Sequence, residues 1–119
     1  MRAAKLIFGI AGGYGLVVLL PLFFVGPWLV PPTIRPEDYY GFLGAATAFQ
    51  LIYITIARDP ARFRPLMPIG TLAKLSFFMP VAILWAQGRT PAPTLILATI
   101  DLLLGIAFLA AWRATRPLP

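Results

Sequence analysis

Apolar residues in this chain are grouped into long runs rather than alternating with polar ones. Four such runs, from about Leu6 to Val25, Tyr40 to Ala57, Ile69 to Ala86 and Thr94 to Trp112, are separated by stretches of proline, glycine and charge. Crossing about 30 Å of hydrocarbon takes roughly 20 residues of α-helix, because unpaired backbone groups cannot be left facing lipid. The pattern therefore predicts an all-α fold: an integral membrane four-helix bundle forming a single transmembrane domain over residues 1–119. The second and third runs lie near the short limit, so their helices stand with little tilt or extend by a turn into the interface. The first run follows Arg2 and Lys5 as a secretory signal would, yet it is longer than the usual roughly 7 to 15 apolar residues of such signals. Phe24-Val25-Gly26-Pro27-Trp28 is no small-x-small cleavage site, so a retained first helix is expected; cleavage would leave three spans.

Positive residues orient the predicted bundle. Arg2, Lys5, Arg58, Arg62, Arg64, Arg113 and Arg116 fall on one side and only Arg35 and Arg89 on the other. Lysine and arginine in short flanks are retained on the cytoplasmic side, so both termini are placed inside, in a multi-pass protein of the bacterial inner (cytoplasmic) membrane. Trp28, Tyr39 and Tyr40 at the outer boundary, Trp85 at the outer end of the third span and Trp112 at the inner end of the fourth fit aromatic belts.

Composition narrows the function classes. Of 119 residues, 60% are hydrophobic and 12% charged, against about 25% charged in soluble proteins, too few to cover a soluble fold. The net charge of +6 is dispersed between apolar runs without a basic helix face or an aromatic platform, so no nucleic-acid partner is expected. The chain has no cysteine and no histidine, which excludes disulfides, thiol chemistry, thiolate metal sites, imidazole catalysis and histidine-ligated haem. Neither cofactor nor metal is expected.

The connecting segments carry their own signals. Pro27, Pro31, Pro32 and Pro36 fix φ across residues 26–38, predicting a stiff extended cap rather than a helix there. Glu37 and Asp38 open the second helix, where acidic groups meet the positive end of the helix dipole; adjacent residues at a helix start point in different directions and make no carboxylate pair. Between the second and third spans, Asp59 is placed to N-cap a single turn that has Pro60 at its first position, and Pro65 would stop it. Phe63, Leu66 and Met67 would then lie in the interface while Arg58, Arg62 and Arg64 contact anionic lipid phosphates, each worth about 1 kcal/mol; the plainer alternative is that these arginines only set topology. Pro21 and Pro80 fall in the outer halves of the odd-numbered spans, as two related hairpins would have it, although prolines are common in transmembrane helices.

Two ionisable residues fall within the spans, where a charge costs from about 2.5 kcal/mol upwards at the centre. Lys74 lies about five residues from the inner end of its helix and can snorkel to lipid headgroups or to Asp59. Asp101 lies about seven residues below the outer end of the fourth helix, too deep to reach water unaided. A direct Lys74–Asp101 bridge is disfavoured, because their depths differ by roughly 9 Å and the lean of helical side chains carries them apart. Asp101 is expected instead in a polar midplane layer with Tyr14, Thr47 and Gln50, serving as interhelical glue or as the floor of a ligand cavity. Ala98 and Gly105 mark the side of the fourth helix on which a neighbour can approach. On the second helix Gly41, Gly44, Ala45 and Ala48 share one face and Thr47, Gln50 and Ile54 the opposite one, and the first helix has Gly9-x-x-x-Gly13. Both faces of the second helix suit contact, which points to a homo-oligomer or a larger membrane complex.

Asp38-Tyr39-Tyr40-Gly41-Phe42-Leu43-Gly44, Arg58-Asp59-Pro60-x-Arg62-x-Arg64-Pro65-Leu66-Met67 and Asp101-Leu102-x-Leu104-Gly105-x-x-Phe108 resemble short bacterial four-helix membrane proteins of unassigned function, with a broader likeness to DoxX-like small proteins. The resemblance covers about two-thirds of the chain, from the second helix on, and transfers no activity. In those relatives an acidic residue often precedes the third-helix lysine; here Ala73 does, which leaves Lys74 without that local charge partner. The function expected first is that of a non-enzymatic accessory or assembly subunit packing through glycine and alanine faces. The alternatives are an intramembrane carrier or receptor for a lipophilic small molecule and an oligomeric ion or proton channel. An enzyme ranks last, because only one carboxylate lies in the membrane interior.

Overall fold

A computed structural model of the chain describes residues 2–29 and 34–116, and the side chains of all of these except residues 27–29. The described residues form α1 (Arg2–Leu29), α2 (Pro36–Arg58), α3 (Met67–Ala86) and α4 (Ala92–Ala114), with one turn of 3-10 helix at Arg64–Leu66 leading into α3 and no strand. All four helices are long and apolar enough to cross a membrane, with mean hydropathies of 2.2, 1.4, 1.6 and 2.3. Pro36, Pro68 and Pro93 stand in the first turns of α2, α3 and α4, where a fixed φ suits the helix and the missing N–H has no intrahelical partner to lose. Glu37 and Asp38 lie in the first turn of α2, and the Arg35 guanidinium donates to Asp38 at 2.9 Å. Gly88, at φ 71, turns the chain after α3, as a residue without Cβ does most cheaply.

The outer cap differs from expectation at its start. α1 does not stop at Val25 but continues through Gly26 and Pro27 to Leu29. Tyr39 braces this end: its hydroxyl donates to the Leu22 carbonyl at 2.9 Å, and its ring lies so close to Gly26 that a Cβ there would come within 2.6 Å of it. A proline in the last turn forfeits a single backbone bond, and the Tyr39 contact holds the helix across it. The cap expected over Pro31 and Pro32, and the Trp28 side chain, lie outside the described residues.

The helices pair as two antiparallel hairpins, α1 with α2 and α3 with α4, joined by α4 against α1; α2 and α3 barely meet. In the first hairpin Gly9 faces Ala57, Gly12 faces Gln50 and Ile54, and Gly26 faces Tyr39. The tight approach is made by Gly12 and Gly15 rather than by Gly9 and Gly13. A Cβ at Gly12 would lie 2.8 Å from the Gln50 carbonyl oxygen, and one at Gly15 would fall inside the Gln50 side chain, whereas Gly13 has open space around it. Gly12 and Gly15 turn toward α2, and Gly13, about 100° further round, turns away.

The core gathers at the end of the bundle that holds Arg2, Arg58 and Arg113. Phe8, Tyr53, Ile56, Met67 and Phe108 are buried there among Ala4, Ala11 and Ala111. Phe8 and Phe108 stack at 4.2 Å, and Tyr53 leans on Phe108 at 4.8 Å, so one aromatic cluster ties α1, α2 and α4. Gly70 of α3 lies over it, its missing Cβ leaving room for both Phe108 and Tyr53. Met67, expected in the interface, is fully buried, while Phe63 and Leu66 pack against the rim of the same core; the 3-10 turn at 64–66 folds that segment inward. Elsewhere large apolar side chains, among them Val17, Phe24, Leu72, Ile96 and Leu103, point outward.

The two glycines make opposite predictions. Gly12→Ala forces a Cβ against the Gln50 backbone and is expected to cost about 1–3 kcal/mol, the usual range for overpacking. Gly13→Ala is expected to leave stability unchanged or slightly raised, and reversible unfolding in mixed detergent micelles measures both.

Candidate functional site

α3 and α4 approach closely at Gly105. A Cβ there would lie 3.2 Å from the Lys74 Cβ, and the Thr71 hydroxyl donates to the Gly105 carbonyl at 2.9 Å. Thr71 and Lys74 thus straddle Gly105 and fix how far α3 slides along α4. Ala98, two turns further up the same stripe of α4, is likewise fully buried.

That register brings together the residues that depth counting keeps apart. Lys74 Nζ donates to Asp101 Oδ1 at 3.0 Å, with the two side chains 6% and 21% exposed. Because Lys74 is level with Gly105, only one turn, about 6 Å, separates it from Asp101, and an extended lysine side chain spans that even against the lean of its Cα–Cβ bond. Lys74 does not snorkel to Asp59, whose carboxylate accepts the Arg62 backbone N–H at 3.3 Å. The ammonium also lies 5.2 Å from the centre of the Tyr53 ring, a second favourable contact for a desolvated cation.

A cavity of about 620 Å³ opens where α2 and α3 diverge, above the aromatic core. Its walls are apolar, with Leu19, Leu22, Phe42, Phe49, Leu72 and Phe77 among them, and its polar groups include Tyr14, Gln50, Lys74 and Asp101. Phe42 and Leu72 are half or more exposed, so the opening is lateral, between the helices rather than along the bundle axis. Toward the end away from the termini, Phe42 of α2 and Phe77 of α3 approach to 6.1 Å across the gap. The volume is that of a small-molecule site, typically about 300–1,000 Å³ with few polar groups in an apolar wall.

The expected polar layer is only partly assembled. Tyr14, Gln50 and Asp101 share the cavity wall, but Thr47 does not line it. Gln50 Nε2 folds back to the Ala46 carbonyl of its own helix at 2.9 Å, its side chain lying in the space that Gly15 leaves. Among the described residues Gln50 Oε1 and Thr47 Oγ1 are buried without hydrogen-bond partners, and Asp101 is bonded to Lys74, a residue outside the expected layer. Tyr53, Thr71, Phe42 and Phe77 also shape the site and went unrecognised in the sequence; an aromatic or threonine in an apolar run carries no signal of which helix it faces.

Two further sets of expected residues are placed differently. Arg64 is held by protein rather than presented to lipid: Nε and Nη2 donate to the Trp112 carbonyl at 3.0 and 2.8 Å, and the guanidinium lies 4.8 Å from the centre of the indole. It caps the last turn of α4, where carbonyls lack helical partners. Arg58 and Arg62 remain exposed. On α2, Gly41, Gly44 and Ala48 make no close packing among the described residues: all three are exposed, and an added Cβ at either glycine meets none of them within 4 Å.

Removing one partner of a buried ion pair strands the other, at a cost of about 3–5 kcal/mol, whereas replacing both with apolar residues is often neutral. Asp101→Asn and Lys74→Met are each expected to lower stability toward that range, and Lys74→Met with Asp101→Leu to recover most of the loss, as a double-mutant cycle in detergent unfolding measures. No protein family, curated protein or solved structure matches the chain.

Proposed function

We propose that the chain is a non-enzymatic, multi-pass protein of the inner (cytoplasmic) membrane, both termini cytoplasmic, that takes a lipophilic small molecule from the bilayer into the cleft between α2 and α3. The observation that carries this reading is the laterally open cavity with Lys74 and Asp101 at its polar end. The outward large apolar side chains on helices of membrane-spanning length support insertion, since hydrocarbon rather than water suits them. The bias of seven positive residues to one end supports the orientation, and there Arg58 and Arg62 meet anionic lipid. Binding is favoured over catalysis and over proton conduction because the single carboxylate lining the cavity is already tied to Lys74.

Assembly is a second reading, carried by a separate feature. Gly41, Gly44 and Ala48 leave a smooth outward strip on α2 on which another transmembrane helix, from a second copy or a larger complex, can seat closely.

Native mass spectrometry from a mild detergent separates the two. Carrier function predicts a retained lipophile, lost in Leu72→Trp, which crowds the mouth of the cleft; assembly predicts an oligomer, lost in Gly44→Leu. A bare monomer would sink both. The absence of cysteine makes orientation directly testable: a cysteine placed at Arg89 is expected to react with an impermeant reagent from outside and one at Arg62 only after permeabilisation.

A further inference from the structure

The two members of the ion pair meet the cavity unequally. Both line the cavity, but the Lys74 side chain is 6% exposed and that of Asp101 21% exposed, so Asp101 is the more accessible of the two. The ammonium is engaged by Asp101 Oδ1 at 3.0 Å and by the Tyr53 ring at 5.2 Å. The hydrogen bond at Asp101 uses Oδ1, which leaves the second carboxylate oxygen as an acceptor toward the cavity. The ionisable residues that face this point from the four helices are Tyr14 of α1, Tyr53 of α2, Lys74 of α3 and Asp101 itself.

From this arrangement, and resting on the carrier reading above, we propose that the cleft selects neutral lipophiles whose polar group donates a hydrogen bond, such as a long-chain alcohol or an acylglycerol, and rejects anionic amphiphiles. A hydroxyl donates to the free oxygen of Asp101 without disturbing the pair. An anionic headgroup meets the carboxylate first, in a medium where like charges repel strongly, and reaches Lys74 only by displacing Asp101. A quaternary cation is attracted by Asp101 but repelled by Lys74 and offers no donor. The apolar wall does not discriminate among the three, because it touches only their chains.

The test uses photoreactive probes of one chain length that differ in headgroup: a hydroxyl, a sulfonate that stays anionic at every working pH, and a trimethylammonium. The purified full chain in nanodiscs of phosphatidylcholine, which carries no hydrogen-bond donor, is labelled and the modified residues are mapped by peptide mass spectrometry. The alcohol is expected to label cavity residues such as Phe42, Ala46 and Phe77, with the sulfonate at least about tenfold weaker at the same sites. Asp101→Asn, which uncovers the Lys74 charge, is expected to reverse the order in favour of the sulfonate. Lys74→Met with Asp101→Leu, which keeps the site free of buried charge should the single variant fold poorly, is expected to erase the preference. Equal or stronger labelling by the sulfonate or by the trimethylammonium probe in the unmodified protein overturns the selectivity while leaving the cleft a binding site. Cavity labelling by none of the probes overturns the carrier reading itself.

Discussion

The seating of α3 on Gly105 governs more of this molecule than any other contact. A Cβ at position 105 would press on the Lys74 Cβ at 3.2 Å; without one, Thr71 reaches the Gly105 carbonyl and Lys74 reaches Asp101 one turn along. With the helices in a membrane, as proposed, neither charge would have water as an alternative partner, so the register that joins them would also relieve the two most costly residues within the apolar helices. The same seating carries Gly70 onto Phe108 and Tyr53, which closes the aromatic core under the pair. A shift of α3 by one residue, about 1.5 Å along the axis and about 100° around it, would break the ion pair, the threonine bond and the core contact together.

The bundle is consequently uneven along its length. At the end that gathers the termini, alanines and glycines let the helices close around Phe8, Tyr53 and Phe108, and Arg64 ties the connection before α3 to the last turn of α4. Toward the other end α2 follows α1, held by Gly12, Gly15 and the Tyr39 bond, while α3 follows α4, and the two hairpins part. The cavity is the geometric result of two tightly registered hairpins sharing one core at one end. Its polar end lies where the parting begins, beside the residues that set the register, so the chemistry of the cleft and the stability of the fold rest on the same side chains.

Much of the fold was legible in the sequence, because four apolar runs of spanning length bounded by proline, glycine and charge have few other solutions; Pro36, read there as part of the extended cap, instead begins α2. Lys74 and Asp101 also stood out as the two ionisable residues within apolar runs. Their pairing did not, since depth counted along each helix separately omits the sliding of one helix on another, which the contacts of Thr71 and Lys74 around Gly105 reveal. The glycines of α1 failed for a related reason. A helix apolar on every side has no polar face to show which way it turns, so the spacing Gly9-x-x-x-Gly13 was as good a candidate as Gly12 and Gly15. The extension of α1 through Pro27 depends on Tyr39, a partner far along the chain, and no local rule foretells it.

A site that opens sideways into a bilayer obeys a different balance from one that opens to water. A lipophile leaving lipid for the cleft exchanges one apolar surrounding for another, so burying its chain against Leu19, Phe49 or Phe77 yields little net gain. On the proposed carrier reading, what lipid tails cannot offer is a fixed hydrogen-bond acceptor, which Asp101 would supply. Affinity and selectivity in such a cleft therefore both come from its polar end, while the apolar wall sets only the size and shape admitted. The pairing of Lys74 with Asp101 matters in the same way, because the ion pair fixes where that carboxylate stands.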